Sequence, residues 1–138
     1  VIFVFMKHFP KYFLILISTI FIQCSSEDAV EEATILGRWK IVGFENIQYE
    51  FTENKRFSIY SVNNTFPDLQ EFLTQNPTVI GLDWYFEGEI VVVDLNFGNL
   101  LKLTPSFSCN NKVIKWLNEN DEVHSTFYRI DHDISKCN

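Results

Sequence analysis

Few side chains in this sequence have chemistry to offer, and most of that chemistry belongs to thiols. Of the three cysteines, Cys24 closes a segment that opens with the basic stretch Met6-Lys7-His8-Phe9-Pro10-Lys11 and continues through an apolar run over residues 12–22. A basic start followed by a short apolar run is the order of a secretory signal. The run falls short of the roughly 20 apolar residues that a membrane-spanning helix needs. No Cys-x-x-Cys occurs, so neither a dithiol redox motif nor a zinc site is indicated. His124 shares a strand face with Thr126 and Tyr128 and reads as an exposed polar residue. Asp131-His132-Asp133 sets three ligand types side by side. Neighbours in an extended chain point opposite ways, so one metal ion would reach at most two of them. Glu87 and Glu89 flank Gly88 and read as an acidic hairpin tip rather than a catalytic carboxylate pair. Gly-x-Ser-x-Gly, His-Glu-x-x-His and phosphate-cradling glycine loops do not occur. The expectation is a protein with no catalytic residue, no metal and no cofactor.

Residues 6–24 resemble the signal of bacterial lipoproteins, which ends in a lipobox whose last residue is the acylated cysteine. The resemblance implies a signal peptide over residues 1–23, cleavage before Cys24, and a palmitate-type lipid on that thiol. It places the mature protein at the outer membrane, lipid-anchored, on the periplasmic face or at the cell surface. The alternative is that Cys24 is simply one of three cysteines and the signal stays uncleaved as an anchor. With Cys24 acylated, Cys109 and Cys137 are left as one even pair. In an oxidising compartment they would close a loop of about 28 residues, worth roughly 3–4 kcal/mol in chain-entropy terms. Two free buried thiols are the other reading.

Without residues 1–23 the chain keeps about 115 residues, the size of a single domain. Nine basic residues then face eighteen acidic ones, a net charge of −9. Such a chain gains nothing from counterion release on nucleic acid, and no lysine or arginine cluster offsets the imbalance. Nucleic acid is therefore excluded as a partner. Fourteen Phe, five Tyr and three Trp supply enough bulk for a compact apolar core without metal.

These residues need a scaffold, and the pattern beyond the signal indicates strands. Residues 24–33 are small and acidic without apolar periodicity, a tether between anchor and domain. Residues 34–138 then alternate short β-like segments with turn chemistry. Strands are expected over 35–44, 48–52, 56–62, 82–86, 89–95, 100–104, 112–117 and 123–130. Glu53-Asn54-Lys55, Glu87-Gly88, Asn96-Phe97-Gly98-Asn99, Asn110-Asn111 and residues 118–121 supply the turns. One segment breaks the rhythm. Asp68-Leu69-Gln70-Glu71 is a capping-box pattern, with Leu69, Phe72 and Leu73 on one helical face and Pro67 and Pro77 as brackets. It predicts a helix of about two turns between the third and fourth strands. Eight short, regularly spaced strands favour a barrel or sandwich.

Gly37-Arg38-Trp39, at the head of the first strand, resembles the Gly-x-Trp signature of lipocalins. The wider pattern of Trp39-Lys40-Ile41-Val42, Tyr49-Glu50-Phe51 and Trp84-Tyr85-Phe86 is similar to lipocalin-like domains of bacterial lipoproteins, over about residues 34–131. The resemblance implies an all-β, eight-stranded antiparallel up-and-down barrel with one short helix between strands 3 and 4. It implies that Gly37 bends the chain into the barrel, Trp39 plugs the closed end and Arg129 packs across that tryptophan. Inward positions are expected at Phe51, Phe57, Ile59, Leu82, Trp84, Phe86, Val92 and Phe127. Residues 63–78 are expected near the mouth, as a lid.

Two functions fit. Small eight-stranded barrels are either filled by side chains or hold one small apolar ligand. In the first, Phe51, Phe57, Ile59, Trp84, Phe86 and Phe127 line a site for a small hydrophobic molecule. In the second the interior is packed solid, and the outer face docks on another envelope protein. A cavity above roughly 300 Å³ separates them.

Overall fold

The computed structural model describes residues 32–137. Cys24, the signal over residues 1–23 and most of the 24–33 tether lie outside the described residues. The strands are β1 (Gly37–Ile41), β2 (Phe44–Phe51), β3 (Lys55–Tyr60), β4 (Leu82–Glu87), β5 (Ile90–Asp94), β6 (Leu100–Ser108), β7 (Val113–Leu117) and β8 (Val123–Arg129). β1 and β2 form where apolar residues alternate with polar ones, whereas β5 is a nearly continuous β-branched run, Ile90-Val91-Val92-Val93. A single helix, α1 (Leu69–Gln75), lies between β3 and β4, and a 3-10 turn, Ile134–Lys136, follows β8. Neighbours pair antiparallel throughout, and β8 returns to β1 through Trp39↔Arg129 and Ile41↔Phe127, closing the barrel.

β2 begins four residues before the expected 48 and β3 ends two before the expected 62, and two further departures have a local reason. The strand expected over residues 35–44 stops at Ile41, because Gly43 adopts φ +85° and the chain turns there into β2. In contrast, β6 runs on to Ser108 through Pro105, which a proline should oppose. Pairing with β5 ends at Leu103, and only β7 continues beyond it. The missing N–H of Pro105 therefore costs no rung on the β5 side.

The interior is apolar. Trp39, Ile41, Phe51, Trp84, Val91, Val93, Leu103, Ile114, Trp116 and Phe127 form its buried cluster, with Ile35 beneath. One end is shut from below. Trp39 is fully buried and its Nε1 donates to the Ile35 carbonyl at 2.8 Å. The Arg129 guanidinium stacks over the Trp39 ring at 3.9 Å, while Nη1 donates to the Leu36 carbonyl at 2.7 Å. Trp39 and Arg129 thus hold the incoming chain across the barrel floor. Gly37, at φ +94°, makes the bend that allows it.

The helix forms where expected and is capped by Asp68, whose Oδ1 accepts from the Glu71 N–H at 2.7 Å. Glu71 does not complete the reciprocal cap; its carboxylate accepts from Gln75 Nε2 at 3.0 Å instead. Nor is the segment a lid. Arg38, facing outward beside inward Trp39, donates to the Pro67 carbonyl at 2.6 Å and to Glu50 at 2.7 Å. Phe72 is buried outside the interior cluster. The helix therefore lies on the outer wall.

Candidate functional site

A cavity of about 360 Å³ opens inside the barrel. Its lining comes from β1, β2, β3, β5, β6, β7 and β8, and runs from Phe44 and Ile47 at the mouth to Phe51 and Trp116 inside. In an up-and-down barrel the β1–β2, β5–β6 and β7–β8 hairpins share one end, and here that end is open. The β2–β3, β4–β5 and β6–β7 hairpins lie at the floor with Trp39.

Aromatic rings form a continuous wall. Tyr49 meets Phe127 edge-on at 5.4 Å, Phe127 meets Trp116 at 5.6 Å, and Trp116 stacks with Phe51 at 6.1 Å. Phe51 in turn meets Trp84 at 5.8 Å. Such edge and offset contacts add stability beyond area burial.

One charge stands in this wall. Arg56, only 9% exposed, lines the cavity with its guanidinium 4.5 Å from the Tyr49 ring. Among the described residues no carboxylate pairs with it, and its buried Nε has no hydrogen-bond partner. Taking such a cation out of water costs several kcal/mol, whereas a desolvated cation–π contact returns about 2 kcal/mol. Burial pushes the Arg56 guanidinium below its ordinary value, with Tyr49 acting in the opposite sense. It stays protonated at neutral pH, because an arginine titrates far higher. Trp116 adds a second buried donor: its Nε1 also lacks an acceptor.

The expected site residues divide by face. Phe51 and Phe127 line the cavity. Trp84 and Leu82 belong to or pack against the interior cluster below it, and Trp84 Nε1 donates to the Thr52 carbonyl at 2.9 Å. Phe86 is on the same face, against Trp84 at 5.6 Å, but 53% exposed at the strand end. Phe57 and Ile59 face outward. Thr52 N–H donates to the Lys55 carbonyl at 2.8 Å, closing a two-residue loop that pairs Phe51 with Arg56. Cross-strand partners share a face, so Arg56 points in and its neighbour Phe57 points out. Ile59 is fully buried on that outer face. Val92 is likewise on the outer face, since Val91 and Val93 are the inward pair. Arg56, Tyr49 and Trp116 were not legible as site residues. The two-residue loop was the signal that could have found Arg56.

The other polar groups lie elsewhere. His124 stands exposed at the cavity mouth, its Nδ1 3.3 Å from Ser125 Oγ. Glu87 pairs with Lys102 at 2.8 Å across β4 and β6, and this hydrogen bond raises the lysine above its ordinary range. Cys109 and Cys137 form a disulfide with Cα atoms 5.6 Å apart. His132 gathers with these sulfurs within 4.8 Å rather than with Asp131 and Asp133. Bonded to each other, the two sulfurs offer no thiolate to a metal. Asp133 caps the 3-10 turn, and the Ser135 hydroxyl holds its carboxyl below the ordinary range.

Comparison with protein families, curated proteins and solved structures finds no match for this chain.

Proposed function

We propose that this protein is a lipid-anchored lipoprotein of the bacterial outer membrane whose lipocalin-like barrel holds a small hydrophobic ligand. The observation that carries the reading is the cavity of about 360 Å³ walled by aromatic and aliphatic side chains. Ligand sites begin at roughly 300 Å³ and are mostly apolar with a few placed polar groups. The reading is of a barrel that holds a molecule, which the apolar lining supports.

Titration of the full-length protein with the uncharged fluorophore N-phenyl-1-naphthylamine tests this. One saturable site per chain is expected, and Leu103→Trp, which fills the cavity, is expected to lose it. No saturable binding by wild type, with no small molecule co-purifying in native mass spectrometry, removes the reading.

A second reading, docking on another envelope protein, is favoured by the apolar rim of the open end. Phe44 is 60% exposed and Phe97 fully so, and Val42, Leu95, Leu100 and Val123 stand out beside them. Contiguous exposed apolar surface marks interaction sites. Cross-linking from a probe at Phe97 in intact cells separates this reading from simple ligand storage.

A further inference from the structure

Arginine is almost never buried in a protein without a partner, because the lost hydration must be replaced by counter-charge and hydrogen bonds. Among the described residues Arg56 has no carboxylate beside it, its Nε has no hydrogen-bond partner, and the Tyr49 ring lies 4.5 Å from its guanidinium. The site is one-sided in hydrogen bonding too. Trp116 Nε1 is a donor without an acceptor, and an indole N–H can only donate. Both groups border Phe51, which is the cross-strand neighbour of Arg56 and stacks on Trp116 at 6.1 Å. A cavity with one permanent cation, mainly apolar walls and Tyr49, Ser125 and His124 as its remaining polar side chains selects its occupant by chemistry.

We infer that the ligand is a monoanionic amphiphile, a carboxylate on a hydrocarbon tail, bound with its carboxylate on Arg56. This rests on the ligand-binding reading above and specifies it. One guanidinium balances one negative charge, so a carboxylate fits better than a phosphate dianion. The planar fork of arginine takes a carboxylate through two parallel hydrogen bonds, the strongest pairing available to it. The orientation follows from the fold. Arg56 is the second residue of β3, beside the β2–β3 hairpin at the floor, whereas Phe44 and Ile47 are at the mouth. The head group therefore enters first, and the tail extends toward the open end. A neutral or cationic ligand of the same length leaves Arg56 unpaired and is disfavoured.

The test compares decanoate, decan-1-ol, decyl phosphate and decyltrimethylammonium on the full-length protein by isothermal titration calorimetry, each below its micelle concentration. Decanoate is expected to bind about tenfold or more tightly than decan-1-ol, and more tightly than decyl phosphate. Arg56→Met is expected to remove the preference for decanoate, and Arg56→Lys to retain part of it. Equal affinity for decanoate and decan-1-ol overturns the anionic assignment while leaving an apolar ligand site in place. Tightest binding of decyltrimethylammonium has the same consequence, and tightest binding of decyl phosphate overturns the choice of carboxylate. Binding of none of the four overturns this inference and, with the fluorophore result, the ligand-binding reading as well. The wild-type comparison decides the matter even where a variant fails to fold.

Discussion

At Gly37 a Cβ would come within 2.8 Å of Arg129 Nη1, and the backbone there holds φ +94°. Both facts act against any other residue. Gly37→Ala is expected to cost about 1–3 kcal/mol, read as a lowered urea midpoint, with a changed environment for the Trp39 indole. An unchanged midpoint would show that the bend tolerates a side chain. Arg56 behaves in the opposite way. Its charge is buried without a counter-charge, so Arg56→Met should stabilise the unliganded protein by about 1–3 kcal/mol. A lower melting temperature for that variant would assign Arg56 a structural role instead. These two residues also differ in legibility. Gly37 and Trp39 stand two apart in a recognisable pattern, and Arg129 was the basic residue on the last strand able to reach them. Arg56 sits in Lys55-Arg56-Phe57-Ser58-Ile59-Tyr60, where either face could point inward.

Elements carry the next set of contacts. Asp68 caps α1, and Asp68→Ala should cost about 0.5–2 kcal/mol, with the loss confined to this wall. Amide exchange should quicken in residues 69–75 while β5 to β8 stay protected; uniform loss of protection would tie the helix into the barrel core. At the floor, Cys109, Asn110 and Asn111 follow one another at φ 53°, 54° and 65°. Three successive left-handed residues make a tight β6–β7 connection, and the disulfide ties it to the chain beyond β8. Cys109→Ser is expected to lower stability by about 2–4 kcal/mol, and proteolysis should then trim the segment after Arg129. Resistance of that segment in the variant would contradict the tie. The helix was legible because capping and apolar spacing are local signals. Its position was not, since nothing in residues 63–78 says which surface of a barrel will receive Phe72.

For the whole molecule, the closed and open ends have separate roles. β1 rises from the floor, where Thr34 and Leu36 carbonyls meet Arg129, so the tether joins the barrel at the end opposite the cavity mouth. In the proposed lipoprotein, the ten residues 24–33 would span at most about 35 Å, and they join the barrel at the end opposite Phe44 and Phe97. Cys24→Ser should move the protein out of the membrane fraction and abolish palmitate labelling, while decanoate affinity stays unchanged. Retained acylation would remove the anchor from the proposal. Strand number, the helix between β3 and β4 and the pairing of Cys109 with Cys137 could all be read from residue order. Each rests on signals that act within a few residues, or on the arithmetic of three cysteines. The inward face of β3, the place of α1 and the isolation of Arg56 were decided only by the closed barrel. A strand alternates between two faces, and packing against distant chain determines which of them becomes the inside.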